Sequence, residues 1–450
     1  MQALQRKHTL GVRQTIELAR DVLRFGTATT KHLPQGKLWL LARGHPGMVP
    51  PVLALALVRE KPFGSSFGDE FALHLTSGPA MTAVSVARAR LWLLLVAALA
   101  LVAPHARAED AAGALYVRTD SDSTTVISPR IRANKALGES TQVDATYAAD
   151  VWTSASVDIR ASASVRPVTE QRDEIDLGLR QELGDVRLRG SYRFSSEHDY
   201  TSHGVTVGGA VDVAQNAATL DLSLHVFADT VGQSGNPGFE RALTTFDGSL
   251  SYTQVLDPVM FLSLTYEIAH NSGYQSSPYR YVGVGGTGFG CVGASYCLPE
   301  YVPGDRTRHA LAFLIRRAVS DALSLGLNYR LYFDDWGLTS HTALLDAGFN
   351  LGSETLLSLR YRFHMQGAVT FYQPIYAKID TNQYRTRDRE LSELTYHRAG
   401  AELEHRFDVG ERSKLSATLA VSGNFYNYAD FKGLDKVTAL EISAGLLFQN

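Results

Sequence analysis

Apolar and polar residues alternate along much of this chain, and the alternation is clearest between Leu323 and Phe333. Every second residue in that stretch is apolar, and the residues between them are small or polar. A period of two is typical of a β-strand that has one apolar and one polar face. The letters DWG at 335–337 then reverse the chain, and a second alternating run begins near Thr339. The stretch therefore predicts a β-hairpin.

The same alternation recurs from residue 112 to the C-terminus and predicts about sixteen strands. Very short connections, built from turn-forming pairs such as GD, QN, DP and SD, alternate with longer ones. The longer connections are SEHDYTS, which ends at Ser202, and the segments 271–304, 366–393 and 429–436. Short turns at one end and longer loops at the other are typical of an outer-membrane β-barrel.

One face of these strands is almost wholly apolar, whereas the other carries Arg, Asp, Glu and Asn on strand after strand. A soluble β-sandwich places its charges outside, but a bilayer reverses this arrangement and requires every backbone group to be paired. We therefore predict an all-β fold. It is an antiparallel transmembrane β-barrel with short periplasmic turns, longer extracellular loops and both termini on the periplasmic side.

The phase of the alternation also predicts which residues face lipid. The predicted lipid-facing set includes Leu188, Leu222, Leu264, Leu325, Leu327, Leu359, Leu419 and Ile442. An arginine at Leu264 or Leu325 is expected to cost about 2–4 kcal/mol near the midplane, and the same change at Ser263 or Ser324 much less.

Charge and cysteine usage narrow the class of protein. The chain has 450 residues and a formal net charge of −3, so nothing in its charge suggests nucleic acid. No run of 18 or more apolar residues occurs, so no membrane-spanning helix is predicted. Its two cysteines, Cys291 and Cys297, match no CxxC or Cys/His ligand spacing. We expect them to form a disulfide in an outer loop, because export passes through an oxidising compartment.

Residues 81–108 have the order of a secretory signal peptide. Met81 is followed by two arginines, the apolar stretch LWLLLVAALALVA and the small residues Ala106 and Ala108. The mature chain is then expected to begin at Glu109, with a barrel over 109–450 in the outer membrane of a Gram-negative bacterium. Residues 1–80 show no sustained periodicity. They are interpreted as a misannotated start upstream of Met81, with a disordered or cytoplasmic extension as the alternative.

Several stretches resemble a known family of bacterial proteins. They are STTVISPRIR, DVWTSASVDIRASAS, RPVTEQRDEID, SEHDYTSHG, TQVLDP, YRLYFDDWGLTSHT and LRYRFHMQGAVTFY, spread over Ala114–Asn450. Together they are similar to DUF3570, an uncharacterised family. The resemblance implies an exported outer-membrane β-barrel and supplies no catalytic residues. The resemblance also implies a link to redox or electron-transfer work at the envelope, since genes of this family often neighbour genes for thioredoxin-like and flavin-transferase proteins.

The polar residues of two outer connections form a candidate outer-rim site. Around the DDWG turn they are Asp334, Asp335, Trp336 and His341, and in the SEHDYTS loop they are Glu197, His198 and Asp199. Asp and His are suitable ligands, and loops held by a rigid barrel often bind. We therefore predict that Asp334, Asp335 and His341 matter more to function than to stability. The alternative is a tight turn with Trp336 in the interfacial belt.

Charged residues in the lumen phase of the strands form a second candidate site. The predicted lumen-lining residues are Arg187, Arg189, Arg193, Arg360, Arg362, Asp144, Asp176 and Glu267, with Asp150 beside them. The arginines would favour anions if they lined an open pore. Paired with the acids, they would instead plug and rigidify the barrel, and the sequence leaves both interpretations open.

The sequence predicts an outer-membrane protein that is not an enzyme. Ser340 and His341 are adjacent on a strand and point to opposite faces, so they cannot form a catalytic pair. We expect no cofactor; the expected partners are outer-membrane lipid, the barrel-assembly machinery and small solutes, and not nucleic acid. The first functional prediction is a channel for small solutes. The alternative is an outer-membrane scaffold for envelope redox or metal-handling partners, with surface adhesion as a third interpretation.

Overall fold

The computed structural model describes residues 110–154, 168–286, 291, 293–410, 413–431 and 433–449 of the chain. The predicted signal peptide at 81–108 and the extension at 1–80 lie outside the described residues. Within the described ranges, no helix is long and apolar enough to cross a membrane.

Sixteen strands of the described part of the chain form one closed antiparallel barrel. The strands are β1 (Asp110–Asp120), β2 (Thr124–Leu137), β3 (Thr141–Ser154), β4 (Val168–Leu183), β5 (Val186–Ser196), β6 (Tyr200–Val213), β7 (Ala218–Val231), β8 (Arg241–Asp257), β9 (Met260–Gly273), β12 (Asp305–Ser320), β13 (Leu323–Asp334), β14 (Thr339–Asn350), β15 (Thr355–Gln366), β16 (Leu394–Asp408), β17 (Lys414–Tyr428) and β18 (Lys436–Gln449). Between β9 and β12, β10 (Tyr281–Val284) and β11 (Tyr296–Pro299) form a separate hairpin. β1 closes the barrel against β18, where Ala111 lies opposite Phe448. The predicted fold class is therefore confirmed.

The outer wall is apolar because the alternation places every second side chain toward lipid. All residues of the predicted lipid-facing set are exposed, including Leu264 and Leu419. Residues of the other phase, such as Ser324 and Asp346, are buried inside the barrel. Exposed apolar and buried polar side chains reverse the arrangement of a soluble protein, and they confirm the predicted phase of the strands.

The two ends of the barrel differ in the length of their connections. At the periplasmic end, each turn has two to five residues. Gly184, with a φ of 63°, adopts the left-handed conformation that a two-residue hairpin turn needs. The longest connections, 274–304 and 367–393, lie at the outer end. The predicted SEHDYTS loop is shorter than expected, because β5 runs to Ser196 and β6 starts at Tyr200.

Candidate functional site

Arginines that project inward from β5 are held by acids of the next two strands. Arg187 donates to both carboxylate oxygens of Asp212 at 2.6 and 3.0 Å, and Arg189 donates to both of Asp221 at 2.7 and 2.6 Å. Bidentate pairing fixes the guanidinium plane and strengthens each bond. Arg189 crosses β6 at Gly208, where a Cβ would lie 2.8 Å from the Arg189 Nε. Two of the three predicted lumen residues on β5, Arg187 and Arg189, are therefore held in bidentate pairs.

The other predicted lumen residues also lie on the inner wall, and all of them except Arg362 are shown beside an opposite charge. The pairs, with their N–O distances, are Arg193–Asp176 (3.6 Å), Arg330–Glu267 (3.1 Å), Arg180–Asp144 (3.4 Å), Arg172–Asp150 (2.5 Å) and Arg360–Glu402 (3.5 Å). Arg362 is half-buried on the inner phase of β15. Asp212, Asp221 and Glu402 are lumen residues that were not predicted from the sequence. The signal that would have found them is their position in the lumen phase of their strands.

Two further ion pairs on the inner wall are Arg130–Glu174 at 3.8 Å and Arg398–Glu441 at 2.8 Å, and in both the arginine is more accessible to solvent than its acid. The exposed fraction of the side chain is 44 % for Arg130 against 8 % for Glu174, and 40 % for Arg398 against 9 % for Glu441. Arg360 is likewise more exposed than its acid, at 28 % against 9 %. The carboxylates thus lie against the wall, and the guanidinium groups face an interior space that admits water.

These accessible arginines lie on one continuous part of the wall, which we name the arginine face. Its members are Arg118, Arg130, Arg132, Arg180, Arg193, Arg360 and Arg398. They project from strands within the continuous run from β15 through β18 and β1 to β5. On the opposite wall, Arg316 and Asp346 pair at 2.6 Å and are almost fully buried. A Cβ at Gly326 would collide with that pair.

The outer mouth of the barrel is narrowed by the connection 367–393, which folds inward. Tyr372 and Leu391 of this segment are buried in an apolar cluster with Tyr428, which faces inward from β17. Arg389 of the same segment donates to Asp122 in the β1–β2 turn at 2.5 Å. Apolar and ionic contacts therefore both fasten the segment to the barrel wall.

The hairpin β10–β11 packs on the same inward segment. Val282 of β10 is fully buried against Tyr376. Glu300, just after β11, accepts a hydrogen bond from the Thr386 hydroxyl at 2.5 Å and lies 3.2 Å from the Arg280 guanidinium. Burial raises the pKa of Glu300, although Arg280 opposes the shift. The described residues of the connections 274–304 and 367–393 therefore support each other, and together they form what we call the cap.

Asp334, at the end of β13, is a buried acceptor of several hydrogen bonds. Its side chain has no exposed surface. Its carboxylate accepts from Arg306 at 2.5 and 3.0 Å, from the Tyr332 hydroxyl at 2.8 Å and from the Leu338 N–H at 2.9 Å. Asp334 therefore joins β12, β13 and the turn residue that precedes β14 from the inside of the barrel.

Trp336 connects the same turn to the cap. It is buried, donates its Nε1–H to the Asp305 carbonyl at 2.9 Å, and has the Arg306 guanidinium 4.2 Å from a ring centroid. Its own carbonyl accepts from Thr370 at 3.0 and 3.1 Å. Gly337, with a φ of 89°, leaves room for that contact. The interpretation that placed Trp336 in the interfacial belt is therefore corrected.

His341 does not share a site with the two aspartates. Asp334 lies in the inner phase of β13, whereas His341 lies in the outer phase of β14 with its Nδ1 2.7 Å from the Tyr329 hydroxyl. Asp335 stands exposed at the rim and accepts from the Thr307 N–H at 2.9 Å. The grouping predicted from the sequence is corrected, because the barrel wall separates His341 from Asp334.

Glu197, His198 and Asp199 form the turn between β5 and β6, which contacts the cap. Asp199 accepts a hydrogen bond from the hydroxyl of Tyr279, a cap residue. Burial raises the pKa of Glu197 to about 7, although the Arg172 guanidinium opposes the shift. The contact of Asp199 ties this turn to the cap, whereas the contacts of Asp334 run to β12 and β13. The role of both turns in binding stays a prediction.

The cap also contains the disulfide predicted from the sequence, between Cys291 and Cys297. It closes a short loop, so we expect it to contribute no more than about 2–3 kcal/mol. Among the described residues, no group of three or more His, Cys, Asp or Glu side chains is arranged to hold a metal ion.

Several solved outer-membrane proteins are similar to this chain at very low sequence identity. A bacterial polysaccharide outer membrane secretin is 8 % identical, with a TM-score of 0.44 over 76 % of this chain and 98 % of that one. OpdK from Pseudomonas aeruginosa is 7 % identical, with a TM-score of 0.38 over 75 % and 97 %. The CymD monoaromatic hydrocarbon channel is 9 % identical, with a TM-score of 0.36 over 77 % and 90 %.

The family comparison is more specific than these structural ones. No curated protein matches the chain. The family described as a protein of unknown function, DUF3570, matches residues 160–421, which is more than half of the chain. This protein therefore belongs to the DUF3570 family.

Proposed function

We propose that this protein is a channel for small solutes in the outer membrane and that it catalyses no reaction. The observation that carries the proposal is the solvent-exposed arginine face. Side chains of the inner wall such as Arg130 and Arg398 reach 44 and 40 % exposure only where there is space for water beside them. A barrel of sixteen strands is also wide enough to enclose an aqueous channel.

The arginine face favours small anions over cations. Its guanidinium groups are accessible while several of the paired carboxylates are buried, so positive charge lies closer to a passing solute. Guanidinium groups also bind carboxylate and phosphate groups in a bidentate geometry. Because the cap narrows the outer mouth, the proposed solutes are small, such as inorganic anions and short carboxylates.

Replacing Arg130 by glutamine should weaken the anion preference of the channel. Glu174 keeps Arg193 as a partner at 3.8 Å, so we expect the variant barrel to fold. A unit charge about 8 Å from a permeating ion in water attracts chloride and repels potassium by roughly 0.5 kcal/mol each. Removing it should therefore lower the chloride permeability and raise the potassium permeability about two-fold each, so the chloride-to-potassium permeability ratio should fall about five-fold. The measurement is the reversal potential of refolded protein in a planar bilayer under a potassium chloride gradient.

The matched control is Arg317→Gln, which removes the same charge from the outer phase of β12 and should leave the ratio unchanged. Equal reversal potentials for wild-type and R130Q protein would contradict the role of the arginine face in ion selectivity, but they would not contradict the channel. A correctly folded wild-type barrel that carries no current would contradict the channel itself. That result would favour the scaffold alternative, which a pull-down of periplasmic partners would then test.

A further inference from the structure

The outer wall carries four hydrogen-bonded Tyr–His pairs on different strand pairs. The pairs, with their Oη–Nδ1 distances, are Tyr192–His203 (2.8 Å), Tyr266–His309 (2.9 Å), Tyr329–His341 (2.7 Å) and Tyr361–His397 (2.8 Å). In three of them a Phe ring also packs on the imidazole, with centroids 5.0–5.1 Å apart. We name these four pairs the Tyr–His girdle.

The girdle lies near the outer ends of the strands and faces away from the lumen. His203 is the fourth residue of β6, and His397 is the fourth residue of β16. A transmembrane strand needs about 9–11 residues to cross a bilayer. On β13, Leu331 lies opposite His341 in the register. The run from Leu323, at the periplasmic end, to Leu331 is nine residues long, counting both ends. The girdle therefore lies at the outer boundary between membrane and water.

Each pair engages Nδ1 of the imidazole and leaves Nε2 to act as a donor. A phenol O–H is a better donor than a neutral imidazole N–H, and an imidazole nitrogen is a better acceptor than a phenol oxygen. The tyrosine therefore donates to Nδ1, and the ring proton of the neutral histidine is on Nε2. In the imidazolium form both nitrogens donate, and the tyrosine oxygen accepts. Nε2 thus presents an N–H in either state.

We propose that the Tyr–His girdle binds the phosphate groups of lipids in the outer leaflet. A belt that makes only apolar contact needs no more than Tyr, Trp and Phe. Histidine in the apolar phase adds a donor where water is scarce and an unsatisfied donor is costly. Phosphate oxygens of lipid headgroups lie at this depth and accept short, charge-assisted hydrogen bonds. The tyrosine bond holds each imidazole in place, so the donor is oriented before the lipid arrives.

The test compares lipid A with its dephosphorylated form, using the full barrel in dodecyl maltoside micelles. Native mass spectrometry counts bound lipids and gives the dissociation constant of each lipid. Wild-type protein should bind lipid A about ten-fold more tightly than it binds dephosphorylated lipid A. A factor of about ten is the expected effect of one hydrogen bond to a charged group. The variant in which all four girdle histidines are replaced by phenylalanine should lose that preference.

Two further variants keep the test decisive. His225→Phe changes a histidine of the inner wall, where its ring bonds Thr206 at 2.9 Å, and should retain the preference. Replacing the four girdle tyrosines by phenylalanine preserves the aromatic rings and should reduce the preference, even where the histidine variant does not fold. Equal wild-type affinity for the two lipids would overturn the proposal, as would an unchanged preference in the girdle variants. Competition by inorganic phosphate at the concentration of lipid A would identify a free-anion site and also overturn it.

Discussion

Replacing Asp334 by asparagine is expected to destabilise the barrel by about 3–5 kcal/mol, the range for breaking a buried ion pair. The carboxylate is fully buried and accepts hydrogen bonds from Arg306, Tyr332 and the backbone of Leu338. An amide has one acceptor oxygen, and its NH2 group would face the guanidinium. Arg306 would then keep a buried charge without a counter-ion. The measurement is urea unfolding in lipid vesicles, with heat-modifiable gel migration to follow the folded barrel.

The neighbouring acid provides the matched control. Asp335 is exposed, and its carboxylate accepts one backbone hydrogen bond from Thr307, which an asparagine oxygen can replace. Asp335→Asn should therefore change the free energy of unfolding by less than about 1 kcal/mol. Removing Arg306 together with Asp334 should recover part of the loss, because no unpaired charge remains. Full stability of D334N protein with a reduced conductance would instead restore the binding role predicted from the sequence.

The strands could be predicted from the sequence because lipid imposes a period of two on every one of them. Leu325 and Leu327 on one side of β13, and Ser324 and Gly326 on the other, show the phase without any knowledge of the partner strand. The partners themselves could not be predicted. Arg189 reaches Asp221 across an intervening strand, and that contact depends on the register of three strands and on a glycine between them.

The cap and the DDWG turn were hidden for a different reason. The segment 367–393 has no periodicity, so nothing local indicates that it folds inward. Trp336 is buried because Thr370 and Phe371 pack against it, and those residues lie more than thirty positions away. The sequence indicated a surplus of polar groups around Asp334, but the same groups serve an internal ion pair or an exposed site equally well. Only the position of Arg306 separates these two possibilities.

The outer wall was predicted correctly as apolar, but the pairing of its histidines with tyrosines was not predicted. His203 and His397 occupy the apolar phase of their strands, where a polar side chain breaks the pattern. One polar residue in the apolar phase of one strand does not by itself indicate a binding site. The significance of these positions comes from repetition, since four strand pairs place the same two side chains in the same contact. Neighbouring strands must be aligned before that repetition is visible.

An arginine in place of Leu264 is expected to lower the free energy of unfolding by about 2–4 kcal/mol in lipid. Leu264 is 49 % exposed on the outer wall, and it is the fifth of the 14 residues of β9, well inside the membrane. The guanidinium would lie in hydrocarbon, where neither water nor a carboxylate can reach it without distorting the bilayer. Urea unfolding in phosphatidylcholine vesicles measures the loss.

The adjacent position on the same strand isolates the effect of lipid. Ser263 is half-buried on the inner wall, where its hydroxyl is 2.9 Å from that of Thr253, so an arginine there would extend toward the lumen of the proposed channel and not toward lipid. Ser263→Arg should therefore cost less than about 1 kcal/mol. Ser324 does not serve as a second control, because its side chain is fully buried and an arginine there would have no room; the expectation of a small cost at Ser324 is corrected. Equal losses for L264R and S263R would mean that both faces of β9 contact the same medium, and the outward assignment of Leu264 would then have to be abandoned.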